Sequence, residues 1–260
     1  MHVFLSPHFD DAVLSCGATI HQLVQRGERV TVITIMGQNP YPDHIPDTPI
    51  VRDLHTRWQS GDDPVSLRIR EDEAAICHLG ATPVVMTRWP DCIYRVSAAG
   101  QPVYPSEESL FGMIHPDDPA ARDLQTATIP DLGTTPTLYA PLGAGNHVDH
   151  QIVRDWALRL IKINAALALK LYEEYPYTIN NQAVQRALAY YKSHKPPLSL
   201  RLYRFEVDEP NVVAKIQAIA RYESQISTFW ANLDAMEAET RQHMVYAGAG
   251  RPAERFWEYP

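Results

Sequence analysis

The stretch HVFLSPHFDDAVLSCGATIHQLVQRGERVTVITIM, residues 2–36, indicates the class of fold. Residues 2–6 predict a short strand, and apolar side chains then recur with a helical period over 11–26 until Gly27 ends the helix. The β-branched run at 29–36 is typical of a strand that is buried on both faces. A strand, a helix and a buried strand in this order predict a βαβ unit with parallel strands.

Strands and helices alternate along the rest of the chain. This alternation predicts an α/β fold of the three-layer, Rossmann-like type, with a mostly parallel sheet and an active site at the carboxyl ends of the strands. We expect a single domain over residues 1–260, with long loops or insertions at about 37–64 and 88–134, which are rich in proline and aspartate. The remaining strands are expected at 83–87, 137–142, 167–175 and 198–207, and the remaining helices at 65–79, 149–166, 181–193 and, as one or two helices, at 211–243.

The composition argues against several classes of protein. The net charge is −8 and the pI about 5.7, so the chain lacks the basic surface that binds nucleic acid or an anionic membrane. No run reaches the ~18–20 apolar residues of a membrane span, and the N-terminus does not resemble a signal peptide, so we expect a cytoplasmic protein. Cys16, Cys77 and Cys92 lack the paired spacing of a disulfide framework or a zinc knuckle. We expect Cys16 and Cys77 to be small core residues on helices.

Two clusters of histidine and aspartate follow predicted strands. The motif PHFDD at 7–11 follows the first strand, and NHVDH at 146–150 follows the strand at 137–142. Because the loops at the carboxyl ends of parallel strands converge, we expect the two clusters to meet in space. Two imidazoles and one carboxylate, with a fourth position left to water, form a common catalytic zinc set. The sequence therefore predicts one metal site built from both halves of the chain.

Spacing within the first cluster suggests separate roles for its members. His8 and Asp11 are three residues apart, so on a tight turn into a helix both side chains can point the same way. Asp10 lies between them and is better placed as a base beside the metal. Taken alone, an aspartate at this position is more often a helix N-cap.

The second cluster repeats the spacing. His147 and His150 are again three residues apart, and Asp149 is available to orient one imidazole and raise its basicity.

A third segment, IHPDDP at 114–119, resembles these clusters. We predict a turn here and reject it as the site, because no clear strand precedes it and proline follows it instead of an apolar helix. Its polar residues are His115, Asp117 and Asp118.

These motifs resemble those of the PIG-L (LmbE-like) family of metal-dependent N-deacetylases. The family's P-H-x-D-D motif matches PHFDD, and its H-x-D-H motif matches HVDH. WPD at 89–91 is similar to the family's substrate-loop aspartate, and KIQAIARYESQ at 215–225 is similar to its C-terminal helix. Between the two motifs, the family has an Arg, a Glu three residues later, an Ala four residues after that, and then Leu-Gly. This pattern matches Arg68, Glu71, Ala75 and Leu79-Gly80.

The resemblance implies a metal site and a metal. The ligands would be His8, Asp11 and His150. The cofactor would be one Zn²⁺ per chain, and Fe²⁺ is the other ion that this ligand set can hold.

It also implies catalytic roles. Asp10 would be the general base, which takes a proton from the attacking water. His147, oriented by Asp149, would be the electrostatic or general-acid partner.

Substrate contacts are less sharply implied. Arg68 and Asp91 would hold sugar hydroxyls, although a surface ion pair and a turn aspartate are their ordinary interpretations, and Glu71 could equally be the helix partner of Arg68. Some family members carry an oxyanion-stabilising tyrosine where this chain has Gly145. That donor must come from elsewhere, such as Asn146, a backbone amide or the long loops.

The function that the resemblance implies is zinc-dependent hydrolysis of an N-acetyl (N-acyl) group on an N-acetylglucosamine-type sugar or glycoconjugate. The alternatives are a metal-dependent amidase for a larger thiol-sugar or glycopeptide conjugate, and a non-catalytic sugar-binding relative. A magnesium phosphohydrolase fits less well, because its ion prefers oxygen ligands. The expected partner is a small-molecule or glycoconjugate substrate, and a homo-oligomer is expected by resemblance. Aromatic residues in the long loops either line a substrate pocket or pack as ordinary loop residues: Trp58, Trp89, Tyr94 and Tyr104.

Overall fold

The structure, a computed structural model, describes residues 1–59, 61, 63–129, 136–179 and 181–259. Its strands are β1 (His2–Ser6), β2 (Val30–Thr34), β3 (Thr82–Val85), β4 (Thr137–Pro141), β5 (Ala168–Tyr172), β6 (Arg201–Glu206) and β7 (Ala253–Glu258). Its helices are α1 (Asp11–Gln25), α2 (Pro49–Trp58), α3 (Pro64–His78), α4 (Glu107–Leu110), α5 (Pro119–Leu124), α6 (Val148–Ile163), α7 (Asn181–Lys192), α8 (Glu209–Ile219), α9 (Glu223–Phe229) and α10 (Leu233–Ala247).

The strands form one sheet in the order β3-β2-β1-β4-β5-β7-β6. Strands β3, β2, β1, β4 and β5 pair in parallel, and β7 runs antiparallel between β5 and β6. The chain leaves β1 towards β2 and β3 and then returns to place β4 on the other side of β1. The strand order therefore reverses between β1 and β4, which is where ligands bind in open α/β sheets.

Helices cover both faces of this sheet, because its central strands are apolar on both sides. Val3 and Leu5 of β1 pack into a core that includes side chains of α5, α6 and α7. Phe4 of the same strand packs into the opposite core, with side chains of α1, α3, α8 and α10. The predicted three-layer α/β fold with a mostly parallel sheet is confirmed.

The segments expected to be long loops contain more regular structure than predicted. Residues 37–64 include α2, whose first turn is capped by Thr48, with Pro49 in the first helical position. The 88–134 segment includes α4 and α5, and residues 130–135 of it lie outside the described part of the chain. The C-terminal helical region is three helices, α8 to α10, where one or two were expected.

The cysteine prediction is half correct. Cys16 is buried on α1, as expected, but Cys77 on α3 is exposed. None of the described helices is both long and apolar enough to cross a membrane.

Candidate active site

The two histidine–aspartate clusters meet at the carboxyl edge of the sheet. PHFDD follows β1 and NHVDH follows β4, and these strands pair in parallel from His2–Thr137 onward. The ring centroids of His8 and His150 lie 5.6 Å apart, although the residues are separated by most of the chain. The structure therefore brings the predicted clusters together at the switch point of the sheet.

Three side chains in this cluster face one another. Asp11 Oδ2 lies 3.2 Å from His8 Nδ1, and Asp11 Oδ1 lies 3.2 Å from His150 Nε2. His150 Nε2 is buried and, despite this short distance, lacks the geometry of a hydrogen bond to any described group. A buried nitrogen beside a carboxylate, with no hydrogen bond of its own, is suited to bind a third atom. His8, Asp11 and His150 are thus candidate ligands of a divalent ion that takes nitrogen and oxygen. Ligand atoms of His8, His147 and His150 also lie within 4.8 Å of one another.

The imidazoles of His8 and His150 each have one ring nitrogen that faces Asp11 and a second ring nitrogen that contacts another carboxylate. His8 Nε2 lies 2.9 Å from Asp149 Oδ2, and His150 Nδ1 lies 3.3 Å from Glu174 Oε1. Carboxylates in this position orient metal-binding imidazoles and increase their basicity. Glu174 was missed in the sequence, although it stands two residues past the end of β5, at the same edge of the sheet as the motifs.

The arrangement around His147 differs from the prediction. Asp149 was expected to orient His147, but its carboxylate contacts His8 instead. His147 is the N-cap of α6, and its Nδ1 accepts a hydrogen bond of 3.3 Å from the Asp149 backbone N–H. Burial, together with the nearby His8 and His150, lowers the pKa of His147 to about 3, so the ring is neutral near pH 7. Because Nδ1 accepts, Nε2 carries the proton, and it lies 3.9 Å from Cys92 Sγ.

Asp10 occupies the N-cap position of α1 without acting as a cap. Its side chain makes no capping hydrogen bond, and the Ala12 N–H is satisfied by Ser6 Oγ at 3.0 Å. The backbone of Asp10 has φ 116°, a strained conformation for a residue with a Cβ. The carboxylate is thereby freed to line the cleft, 3.6 Å from the guanidinium of Arg68.

Arg68 and Asp91 lie beside Asp10 at the floor of the cleft. Their charged groups are 3.7 Å apart, and Arg68 also donates to Phe9 O at 3.0 Å and stacks over Trp58 at 4.7 Å. Arg68 is buried, so it does not form the surface ion pair of its ordinary interpretation. Asp91 also accepts a hydrogen bond from the Ile93 N–H at 3.2 Å. It is therefore both a turn aspartate and the ion-pair partner of Arg68.

Two further predicted contacts are corrected by the structure. Glu71 is not the partner of Arg68, because its carboxylate accepts from the backbone and hydroxyl of Ser224 at 2.8 and 2.6 Å. Asn146 does not line the cleft, because its side-chain amide donates to Phe111 O at 2.6 Å and to Gly112 O at 3.2 Å. The amide of Asn146 therefore fixes a loop and is unsuited to hold substrate.

Gly145 permits a close contact that another residue would prevent. A Cβ at this position would lie 2.7 Å from Cγ of Tyr177, so the tyrosine ring packs directly against the glycine. Tyr177 also packs edge-on against His150, with ring centroids 5.8 Å apart, and lines the cleft.

The cleft has a volume of about 260 Å³ and two kinds of wall. Its polar end holds the clustered aspartates and histidines with Arg68, and its other walls combine apolar side chains with Arg57, Glu107, Gln225 and Thr228. Of the four loop aromatics, only Trp58 is among its lining residues, while Trp89, Tyr94 and Tyr104 pack elsewhere. The apolar lining residues are Ile50, Leu54, Trp58, Ile93, Leu110, Phe111 and Phe229.

The segment IHPDDP forms a turn, as predicted, but it also caps a helix, α5, that was not expected to follow it. Asp118 Oδ1 accepts the Ala120 N–H at 2.8 Å at the start of α5. The Asp117 N–H donates to His115 Nδ1 at 3.1 Å.

Burial and mutual charge shift the pKa values of the clustered groups before an ion binds. Burial raises the pKa of Asp10 to about 8. Burial also acts to raise the pKa of Asp11, but His150 and His8 outweigh it and hold that pKa well below its usual range. For His150, burial acts to lower the pKa, but Asp11 and Glu174 outweigh it and raise the pKa to about 9.

Metal binding should therefore release protons. Divalent ions bind neutral imidazole, whereas His150 and His8, whose pKa values are both raised, carry protons near pH 7. The apparent affinity for Zn²⁺ should rise between pH 6 and the His150 pKa of about 9, by up to ~10-fold per pH unit for each proton released. Calorimetric titration in buffers of different ionisation enthalpy measures the release. Heats that do not depend on the buffer, with an affinity that is flat over this range, would contradict the assignment.

Comparison with known proteins identifies the family. A model of the PIG-L family, described as GlcNAc-PI de-N-acetylase, matches residues 3–161. The 2'-N-acetylparomamine deacetylase of Niallia circulans is 33% identical over 190 residues, which cover 67% of this chain and 66% of that protein. The enzyme of the same name from Streptomyces fradiae is 28% identical over 185 residues, which cover 70% of this chain and 59% of that protein. The chain therefore spans just under two thirds, or less, of the length of these relatives.

A solved structure extends the likeness over nearly the whole chain. The zinc-inhibited form of teicoplanin deacetylase Orf2 matches with a TM-score of 0.78 and 25% identity, and the match covers 99% of this chain and 97% of that one. The chain belongs to the PIG-L family, which confirms the resemblance seen in the two motifs. The matched family model is described as a de-N-acetylase, and the relatives and the solved structure named here are deacetylases.

Proposed function

We propose that the protein is a zinc-dependent hydrolase that removes the N-acetyl group from an N-acetylglucosamine-type sugar or glycoconjugate. The observation that carries the proposal is the facing arrangement of His8, Asp11 and His150, with the Asp10 carboxylate beside them in a cleft. Zinc suits two imidazoles and one carboxylate, and ferrous iron is the other ion with this preference. A bound divalent ion would polarise the amide carbonyl and make water a better nucleophile.

The residues around the proposed ion supply the proton transfers. Asp10 is proposed to take the proton of the attacking water, and a cation nearby favours its ionised form, as does Arg68 at 3.6 Å. Asp10 then returns this proton to the leaving amine, because the imidazole of His147 is neutral near pH 7 and does not act as an acid. His147 instead donates a hydrogen bond from Nε2 to the oxyanion.

Tyr177 is a second proposed donor to the oxyanion. It lines the cleft beside His150, and burial raises the pKa of its hydroxyl well above the usual value, which keeps the hydroxyl protonated. It also fills the space beside Gly145, the position at which some family members carry their tyrosine.

The two kinds of cleft wall support a substrate with a sugar and a less polar part. Arg68 and Asp91 at the polar end are placed to hold sugar hydroxyls close to Asp10. The apolar side walls favour a glycoside or glycoconjugate with apolar surface over a free monosaccharide. A larger amide conjugate is the alternative substrate, and it would use the same residues.

A substrate panel tests this proposal. It should contain N-acetylglucosamine, N-acetylated aminoglycosides, N-acetylglucosaminides with aromatic aglycones, and larger glycopeptide or thiol-sugar amides. We expect equimolar release of acetate and primary amine from one of the N-acetyl glycosides, abolished by a chelator and restored by Zn²⁺. Hydrolysis confined to the larger amides would support the alternative, and a complete absence of chelator-sensitive hydrolysis would support a non-catalytic sugar-binding relative.

A cytoplasmic location and a homo-oligomer remain predictions. Sedimentation velocity of the purified protein measures the second directly.

A further inference from the structure

Arg95 links the proposed metal site to the segment that follows β3. Its side chain is buried, with 2% of the residue exposed, and it binds three acceptors. Nη2 donates to Asp149 Oδ1, Nη1 donates to Asp118 Oδ2 at 2.8 Å, and Nε donates to Pro90 O at 3.1 Å. A guanidinium is planar and rigid, so these contacts fix the two carboxylates relative to each other.

Asp149 transmits this restraint to His8. Since Oδ1 is bound by Arg95, Oδ2 faces His8 Nε2 at 2.9 Å and the Cys92 N–H at 3.0 Å. An ionised carboxylate only accepts hydrogen bonds, so a neutral His8 must carry its proton on Nε2. Its Nδ1 lone pair then faces Asp11 at 3.2 Å, which is the side on which the ion would bind.

Asp118 anchors the other end of this chain of contacts. Its Oδ2 also accepts the hydroxyl of Tyr104 at 2.9 Å, and its Oδ1 caps α5. Asp118 and Tyr104 are both buried. The segment IHPDDP, which does not form the site itself, therefore holds Arg95 in place.

We propose that Arg95 is a positioning residue of the metal site: with Asp118, it holds Asp149 so that His8 presents Nδ1 to the ion. This inference rests on the proposed function, because it assumes that His8 is a ligand. Loss of the group that orients a ligating imidazole typically costs ~10–100-fold in metal affinity.

The variant Arg95→Lys tests the proposal, because lysine keeps the charge but lacks the fork that spans both carboxylates. The dissociation constant for Zn²⁺ should rise by ~10–100-fold. The KM for substrate at saturating Zn²⁺ should stay unchanged, because Arg95 does not reach the cleft. In two-bond ¹⁵N–¹H spectra of the metal-free protein, recorded above the pKa of His8 so that its ring is neutral, the His8 proton should no longer be confined to Nε2.

Arg255→Lys is the matched control. It makes the same exchange at a largely buried guanidinium that binds Glu173 at 2.9 Å, outside this network, and it should bind Zn²⁺ like the wild type.

Milder variants cover the case in which Arg95→Lys does not fold. Tyr104→Phe removes one hydrogen bond to Asp118, and Asp118→Asn removes its charge while keeping a residue that caps helices well. Both should bind Zn²⁺ more weakly than the wild type. Folded variants with wild-type affinity and an unchanged His8 proton would overturn the role of Arg95 alone. A wild-type protein that binds no metal would contradict the proposed function and this role together.

Discussion

Replacing Asp10 with asparagine should lower kcat by ~10²–10⁴-fold while the protein keeps its metal, because general base catalysis contributes about that factor. Asparagine preserves the volume of the side chain and tolerates positive φ better than alanine does, which matters at φ 116°. It cannot accept the proton of the attacking water. Steady-state kinetics and metal analysis by mass spectrometry on the same preparation measure both quantities.

Asp72→Asn is the matched control for this experiment. Asp72 is equally buried but accepts from Thr34 Oγ1 and the Tyr222 hydroxyl, both at 2.7 Å, and it does not line the cleft. Its variant should keep a kcat near that of the wild type. If Asp10→Asn retained full activity, or lost its metal as well, Asp10 would not be the base.

Replacing His150 with alanine should abolish metal binding, and with it activity. Removal of a ligand should cost more than the ~10–100-fold loss of affinity that follows removal of a group that only orients a ligand. Equilibrium dialysis with Zn²⁺ measures the loss.

His243→Ala is the control for a half-buried histidine outside the site, where the ring packs against Tyr175 with centroids 4.7 Å apart. It should retain metal and activity. Wild-type metal content in folded His150→Ala would remove His150 from the ligand set, and equal metal content in the Asp10 and His150 variants would contradict the division of roles between them.

The architecture and the two clusters were predictable because their signals are local. The β-branched run at 29–36 marks the central strand β2, PHFDD follows β1 directly, and four residues separate the end of β4 from NHVDH. Parallel strands bring such loops to one edge of a sheet, so the meeting of His8 and His150 follows from the order of elements. The helix α2 was also readable from the Thr48-Pro49 start, but the many polar residues around it favoured a loop.

The contacts that orient the site could not be read from the sequence. Arg95 lies in a proline-rich segment and belongs to neither motif. Only the folded chain shows that its guanidinium donates hydrogen bonds to both Asp118 and Asp149. Asp149 was paired with His147 on the family resemblance, but the helix that starts at Val148 turns its carboxylate towards His8.

Exposure and hydrogen bonding also depend on tertiary structure. Cys77 lies on the outer side of α3, and the amide of Asn146 is bound by carbonyls of a distant loop. No pattern within a few residues encodes either fact.

Anomalous diffraction from crystals of the zinc-loaded protein locates the ion relative to the side chains proposed to bind it. We expect one strong zinc peak, within bonding distance of His8 Nδ1, an oxygen of Asp11 and His150 Nε2, and outside bonding distance of Asp10. A zinc peak on a different set of side chains, or none in protein that binds zinc in solution, would contradict the proposed ligand set.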